Sequence, residues 1–277
     1  MSTRDARSAQ SPVRIVRGIV RVLRAKNVPF MAGSIAYSAF VSLLPLVLLL
    51  VIAASVIGGE QLASHVQNVT ESYLSPTGQT LLADSISQAG SQTGLSILGV
   101  VVLLWGVFRV LRALDTAFSA IYDTQQRNDL PNQFTDGIVV LVTLGGALFA
   151  VLVAGIGLQF VPNLPFPRLV REVSLILGLT IVFIPIYYVF PDAELSFKMI
   201  LPGAVVAAVG WALLDAGFGV YVAYSSAQDL YGVIGGVILL ITFLYFGALV
   251  ILIGATTNVV LMGRSASPAA AEAAKEL

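Results

Sequence analysis

Six long apolar stretches constrain the fold of this 277-residue chain more than any other feature of its sequence. Each stretch reaches or nearly reaches the ~20 residues that cross a hydrocarbon layer of ~30 Å. No water is available there, so each stretch must satisfy its backbone hydrogen bonds internally, as a helix does. The predicted spans are residues 32–57, 95–119, 137–161, 173–190, 199–224 and 232–262. We therefore predict an all-α polytopic membrane protein with six transmembrane helices in a single bundle.

Composition excludes several classes of protein. Hydrophobic side chains make up 57% of the residues and charged ones 11%, less than half of the ~25% usual in soluble domains. This balance excludes a soluble globular enzyme, a disordered chain and a basic nucleic-acid-binding domain. The chain has no cysteine and a single histidine, His65, which argues against thiolate or histidine metal sites and against a cysteine nucleophile. We expect no cofactor, no metal, no catalytic residues and no nucleic-acid partner, and predict that the protein is not an enzyme.

The segments around the spans divide the chain further. In residues 11–28, apolar residues at helical spacing alternate with arginines, which predicts a basic amphipathic helix on the membrane surface. The alternative is a cytosolic helix whose positive charges only determine the membrane topology. The predicted order is a disordered start (1–10), the amphipathic helix (11–28), the membrane domain (29–263) with a helical outer connection (58–94), and a flexible tail (264–277).

The distribution of basic residues predicts the orientation. Seven lysines and arginines precede the first span, whereas residues 58–94 contain none. With the N-terminus inside, thirteen of the fifteen basic residues face the cytoplasm, a strong positive-inside asymmetry. We predict a multi-pass protein of the cytoplasmic (plasma) membrane with both termini in the cytoplasm.

Asp215 is the sharpest candidate for a functional residue. It lies in the middle of an otherwise uncharged span, where a carboxylate costs ~2.5–3.5 kcal/mol on insertion scales, so we expect it to face the bundle interior or a wet cavity. One interpretation is a site for a cation, a proton or a lipid headgroup. The other is a buried carboxylic acid that hydrogen-bonds to a neighbouring span.

A charged group closes the second span. Arg109, Arg112 and Asp115 follow one another at intervals of three residues, and therefore lie near one face of a helix. The two guanidinium groups suit an anion or a lipid phosphate at the inner leaflet. In the alternative, Arg112 pairs with Asp115 and both arginines extend to the cytoplasmic interface.

Small residues recur in spans five and six. They predict close packing of helix backbones rather than a hinge. The positions are Gly203, Ala207, Ala208, Gly210, Gly217, Gly219, Gly232, Gly235 and Gly236.

Four patches of the sequence are informative together: AYSAFVSLLP at 36–45, WGVFRVLRALDTAFSAIY at 105–122, the region 202–221 that begins PGA, and the region 231–258 from YGVIG to GATTN. In their order and spacing they resemble the YihY/virulence factor BrkB family of six-span membrane proteins. The family often has asparagine where Asp115 stands and an acidic residue where Thr256 stands. It has also carried a ribonuclease label, but one histidine, placed outside by the charge rule, does not supply the clustered ligands of a metal-dependent nuclease.

These observations favour transport or lipid handling and translocation across the cytoplasmic membrane. A cavity with Asp215 and inner-leaflet arginines would suit an amphipathic substrate such as a phospholipid. The alternative is a non-transporting envelope or assembly protein, in which polar intramembrane groups specify packing. The expected partners are membrane lipids, and the chain is also compatible with a homo-oligomer. No phosphate-binding P-loop motif is present, so transport would run on a gradient, a partner or passive exchange.

The orientation can be tested by cysteine labelling, since the natural chain contains no cysteine. We expect a membrane-impermeant thiol reagent to label Ser75→Cys from outside the cell and Ser265→Cys after access to the cytoplasmic side alone. Labelling of the Ser75→Cys variant solely from the cytoplasmic side would contradict the predicted topology.

Overall fold

The computed structural model describes residues 12–57, 93–124, 142–143, 145–146, 167–191, 193, 195–224 and 227–263. This part of the chain contains helices and no strand. The helices are α1 (Pro12–Ala25), α2 (Val28–Ile57), α3 (Thr93–Tyr122), α4 (Pro167–Val189), α5 (Phe197–Tyr224) and α6 (Ala227–Leu261).

Helices α2 to α6 correspond to predicted spans one, two, four, five and six. Three segments are long and apolar enough to cross a membrane: Glu172–Val189 in α4, Phe197–Tyr221 in α5 and Gly235–Leu261 in α6. Within the described residues the all-α class is confirmed, and these apolar helices support the prediction of a membrane protein. Span three lies outside the described residues apart from four helical positions. The outer connection also lies outside them apart from residues 93 and 94, as do both terminal segments. The single six-span bundle stays a prediction.

A tight turn separates α1 from α2. Asn27 adopts a left-handed backbone with φ of 51°, a conformation that asparagine tolerates better than most residues. Its carbonyl accepts hydrogen bonds from the N–H groups of Phe30 (3.0 Å) and Met31 (3.2 Å), and so begins α2. Pro29 lies in the first turn, where a missing N–H costs no helical hydrogen bond.

Helix α3 ends in a similar way. Asp123 has φ of 56°, and the N–H of Thr124 donates to the carbonyl of Ser119 (3.1 Å), as in a Schellman C-cap. The ammonium group of Lys26, in the α1–α2 turn, pairs with the Asp123 carboxylate. Because both side chains are partly exposed, this ion pair contributes about 0–1 kcal/mol, and it joins two helix ends rather than driving folding.

The described helices group into two compact units. The first contains α1, α2 up to Gly33, α3 from Arg112, α4, α5 up to Ala216 and α6 from Gly247. The second contains α2 from Ser34, α3 up to Leu111, α5 from Gly217 and α6 up to Phe246.

Helix α1 packs against the C-terminal end of α6 in the first unit. A Cβ atom on Gly18 would lie 3.0 Å from a methyl group of Val260, and Val22 is buried. The arginines of α1 are exposed. A helix runs from Pro12 to Ala25, within the predicted residues 11–28, and its role as an amphipathic helix on a membrane surface stays a prediction.

Three helices meet closely in the first unit. The Tyr187 hydroxyl of α4 donates to the carbonyl of Ile251 on α6 (2.6 Å). A Cβ atom on Gly254 would lie 2.1 Å from the Tyr187 hydroxyl oxygen and 2.5 Å from the carbonyl oxygen of Gly203 on α5. Glycine is therefore required at 254, because any side chain would force α4, α5 and α6 apart.

Asn258 connects α6 to α5 by two hydrogen bonds. Its Oδ1 accepts from the N–H of Gly203 (2.6 Å), and its Nδ2 donates to the carbonyl of Ile200 (3.2 Å). Pro202, which precedes Gly203, has no N–H and disturbs the helical ladder at this point. A fully buried amide side chain thus serves the backbone of a neighbouring helix beside a proline.

The close-packing prediction holds at some of the small residues. It is confirmed at Gly203, next to Asn258 and Gly254, and at Gly210, where a Cβ atom would lie 2.6 Å from a methyl group of Val250. At Gly217, Gly219 and Gly236 no described atom lies within 4 Å of an added Cβ, so the prediction is not confirmed there. Composition alone does not show which face of a glycine-rich helix meets a neighbour.

Gly254→Ala should destabilise the protein by about 1–3 kcal/mol, the usual cost of overpacking a dense core. Thermal unfolding of the purified protein in detergent would show this as a lower Tm. Adding Tyr187→Phe should recover part of the loss, because it removes the oxygen nearest to the new methyl group.

Gly236→Ala on the same helix is the matched control, and it should leave the Tm unchanged or slightly raised. Equal effects of the Gly254 and Gly236 variants would contradict the packing described for α4, α5 and α6.

Candidate functional site

Helices α2 and α3 approach closely in the second unit. A Cβ atom on Gly106 of α3 would lie 2.7 Å from the Cβ atom of Ser42 on α2. The Ser42 hydroxyl donates to the carbonyls of Ser38 (2.8 Å) and Ala39 (2.9 Å), so its polar group is satisfied within α2. This contact brings residues of α3 that follow Gly106 next to residues of α2 that precede Ser42.

Arg109 lies one turn after Gly106, beside two aromatic rings. The centre of its guanidinium group is 5.0 Å from the ring centroid of Trp105, on the preceding turn of α3, and 5.9 Å from that of Tyr37 on α2. Both distances are within the ~6 Å range of cation–π attraction. Both rings are more than half exposed, at 55% and 58%. The result is a partly buried cation with aromatic neighbours on a surface of α2 and α3.

The other two charged residues of α3 follow in the first unit. Arg112 is exposed, and its carbonyl accepts a hydrogen bond from the Thr116 hydroxyl (2.9 Å). Asp115 is half-buried and has an interaction partner. Beyond them the side chains of α3 serve packing. The fully buried Phe118 contacts the ring of Tyr187 edge-on, with 5.6 Å between the two ring centroids. Both interpretations of the Arg112–Asp115 pair stay predictions.

Asp215 lies on a different helix, α5, and is exposed. No helix among the described residues therefore encloses its carboxylate. Its role as a cation, proton or headgroup site stays a prediction.

The described residues contain no group of three or more His, Cys, Asp or Glu side chains close enough to hold a metal ion. Several of their hydroxyl groups bond to the preceding turn of the same helix. Thr180, Thr256 and Thr257 are examples, each donating to the carbonyl four residues earlier. Such hydroxyls are satisfied locally and offer no free donor to a ligand.

Sequence reasoning missed the aromatic neighbours of Arg109 and the role of Asn258. Trp105 could have been found, because it lies four residues before Arg109 on one helix face. Tyr37 could not, because its position depends on the register of α2 against α3. The role of Asn258 could have been predicted, since an amide side chain in an apolar span needs hydrogen-bond partners.

Comparison of the chain with known protein families finds a match that covers these residues. The family of virulence factor BrkB matches residues 19–276, nearly the whole chain. The chain belongs to this family. The match includes all four candidate residues and both helices that contribute to the Arg109 surface, so this BrkB-family protein carries them within the family's shared region.

Individual relatives are distant but cover most of both chains. A putative ribonuclease-like protein, YfkH, of Bacillus subtilis is 25% identical over 253 residues, which is 86% of this chain and 91% of the relative. A UPF0761 membrane protein of Pseudoalteromonas translucida is 26% identical over 81% of this chain and 78% of the relative. A UPF0761 membrane protein of Coxiella burnetii is 25% identical over 88% and 92%. No solved structure matches this BrkB-family chain.

Proposed function

We propose that this BrkB-family membrane protein handles or translocates anionic amphipathic molecules, phospholipids first among them, in the cytoplasmic membrane. The observation that carries the proposal is the position of Arg109 beside two exposed aromatic rings on α2 and α3. The proposal includes cytoplasmic termini, membrane lipids as partners and no enzymatic activity. A homo-oligomer is compatible with it.

The energetics of Arg109 support an anionic ligand. A charged residue in a span costs ~2.5–3.5 kcal/mol on insertion scales. A cation–π contact returns ~0.5–1 kcal/mol at an exposed site and ~2 kcal/mol when desolvated. The rings attract the charge but accept no conventional hydrogen bond, whereas guanidinium has five N–H donors. A phosphate oxygen supplies both the opposite charge and the acceptors that those donors require.

The surroundings of Arg109 suit the whole of a lipid. The exposed rings of Trp105 and Tyr37 present apolar faces and polar edges, as aromatic residues do at membrane interfaces. Acyl chains can lie against the exposed apolar side chains of α3, among them Val101 and Leu104. A headgroup at Arg109 would then continue into chains along the same helix.

The alternative function is a non-transporting envelope or assembly protein. It is favoured by the dense contact of Gly203, Gly254, Tyr187 and Asn258, in which every named polar group serves packing. Nuclease activity is not part of either proposal. The ribonuclease-like name belongs to the Bacillus relative, and a chain whose one histidine is His65 lacks clustered histidine ligands.

The anionic-lipid proposal predicts that Arg109→Gln with Arg112→Gln weakens retention of phosphatidylglycerol by at least about tenfold, or ~1.4 kcal/mol. Glutamine keeps length and polarity but removes charge. Native mass spectrometry of the purified protein measures the retained lipid. Trp105→Leu should weaken retention less, because it removes one ring contact and leaves the cation.

Lys198→Gln is the control, since it removes one exposed positive charge at the start of α5. It should leave lipid retention unchanged. If the arginine double variant retains as much phosphatidylglycerol as the wild type, the two arginines are topology anchors and the proposed site does not exist.

Asp215→Asn separates a proton- or cation-coupled role of this carboxylate from a packing role. Asparagine keeps size and hydrogen bonding but does not ionise, so a packing role should survive with an unchanged Tm. A proton- or cation-coupled role should not survive. In that case the folded variant would lose movement of a fluorescent phospholipid in proteoliposomes. Full activity of the variant across a range of pH would exclude Asp215 as a functional site.

A further inference from the structure

Helix α1 presents three different faces around its circumference. At about 100° per residue, Ile15, Gly18, Ile19, Val22 and Leu23 share one arc. All five are buried or half-buried, and Gly18 contacts Val260 of α6. This arc is the protein-facing side. The rest of the circumference is exposed, and its apolar and basic residues are separated from each other, which the alternation in the sequence does not show.

The exposed circumference divides into an apolar arc and a basic arc. Val13, Val16 and Val20 are 64%, 60% and 40% exposed and fall within about 60° of one another. The next arc, about 80° wide, contains exposed arginines alone. They are Arg14, Arg17, Arg21 and Arg24. A helix surrounded by water has no reason to separate its exposed valines from its exposed arginines.

We propose that this valine–arginine surface is a docking face for the headgroup layer of a bilayer that contains anionic lipids. The valines would enter the boundary between headgroups and acyl chains, and the arginines would contact phosphates beside them. Charge complementarity supports this occupant, because a basic residue near an anionic membrane surface contributes about 1 kcal/mol. The proposal is independent of the Arg109 site and of the proposed function.

The connection to α2 places α1 at the right depth for this contact. Lys26 and Asn27 are the whole link between α1 and α2, and α2 begins with the fully buried Val28 at the start of an apolar helix. The Lys26–Asp123 ion pair joins this link to the end of α3. Because two residues span only about 7 Å, the end of α1 cannot leave the membrane boundary at which α2 begins.

Spin labels on the full-length protein in lipid nanodiscs test the orientation of this face. The chain has no native cysteine, so Val16→Cys, Val20→Cys and Ala25→Cys each accept one label. Ala25 is exposed and lies beyond the arginine arc. We expect labels at 16 and 20 to meet oxygen more readily than a water-soluble nickel chelate, and the label at 25 to show the reverse.

The lipid preference is tested by comparing nanodiscs of phosphatidylcholine with nanodiscs that also contain phosphatidylglycerol. The anionic lipid should move the labels at 16 and 20 deeper. Changing all four arginines of α1 to glutamine should abolish that difference, while Arg109 stays in place.

Three results would overturn the proposal. Equal nickel accessibility at 16, 20 and 25 would mean that the valines face water. Protection of positions 16 and 20 from both reagents would mean that protein, such as a second copy of the chain, covers them. A response to phosphatidylglycerol that is absent in the wild type, or undiminished in the glutamine variant, would mean that the arginines do not select anionic lipid.

Discussion

The hydrogen bonds of Asn258 to the backbone of α5 are the contact on which the first unit depends. A buried amide in an apolar helix must find partners, and interhelical hydrogen bonds of this kind contribute on average about 0.6 kcal/mol within a membrane. Here the partners are the N–H of Gly203 and the carbonyl of Ile200, beside the interruption that Pro202 makes in its helix. The energy is modest, but two hydrogen bonds from one side chain to Ile200 and Gly203 hold α6 and α5 in one register.

Other contacts of the first unit follow from that register. It sets Gly254 against Gly203, at a distance where no side chain fits, and this leaves the space that the Tyr187 hydroxyl of α4 occupies. Phe118 of α3 then packs edge-on against the same tyrosine ring. Val260, half a turn beyond Asn258 on α6, receives Gly18 of α1. The hydrogen-bonded pair of α5 and α6 thus positions the contacts of α4, α3 and α1.

Sequence predicted the helices better than their contacts. Long apolar runs determine that α2, α4, α5 and α6 are helices, since an extended segment would leave its backbone unsatisfied in lipid. The same uniformity removes the periodicity that would show which face meets which neighbour. Gly203 and Gly217 therefore look alike in the sequence, yet the first touches α6 and the second touches no described atom. Arg109 was identified by its charge, whereas its contact with Tyr37 required the α2–α3 register set at Gly106.

Asn258 and Arg109 show two different fates of a polar side chain in an apolar helix. The amide of Asn258 is fully buried and uses both its oxygen and its nitrogen on protein backbone, so its chemistry is complete without any ligand. The guanidinium of Arg109 is half-buried beside two exposed rings, which balance part of its charge and accept none of its five N–H donors conventionally. A residue that serves only packing should resemble the first case. Arg109 resembles the second case, and this contrast between two polar side chains in apolar helices is the physical ground on which the proposed anionic-lipid site rests.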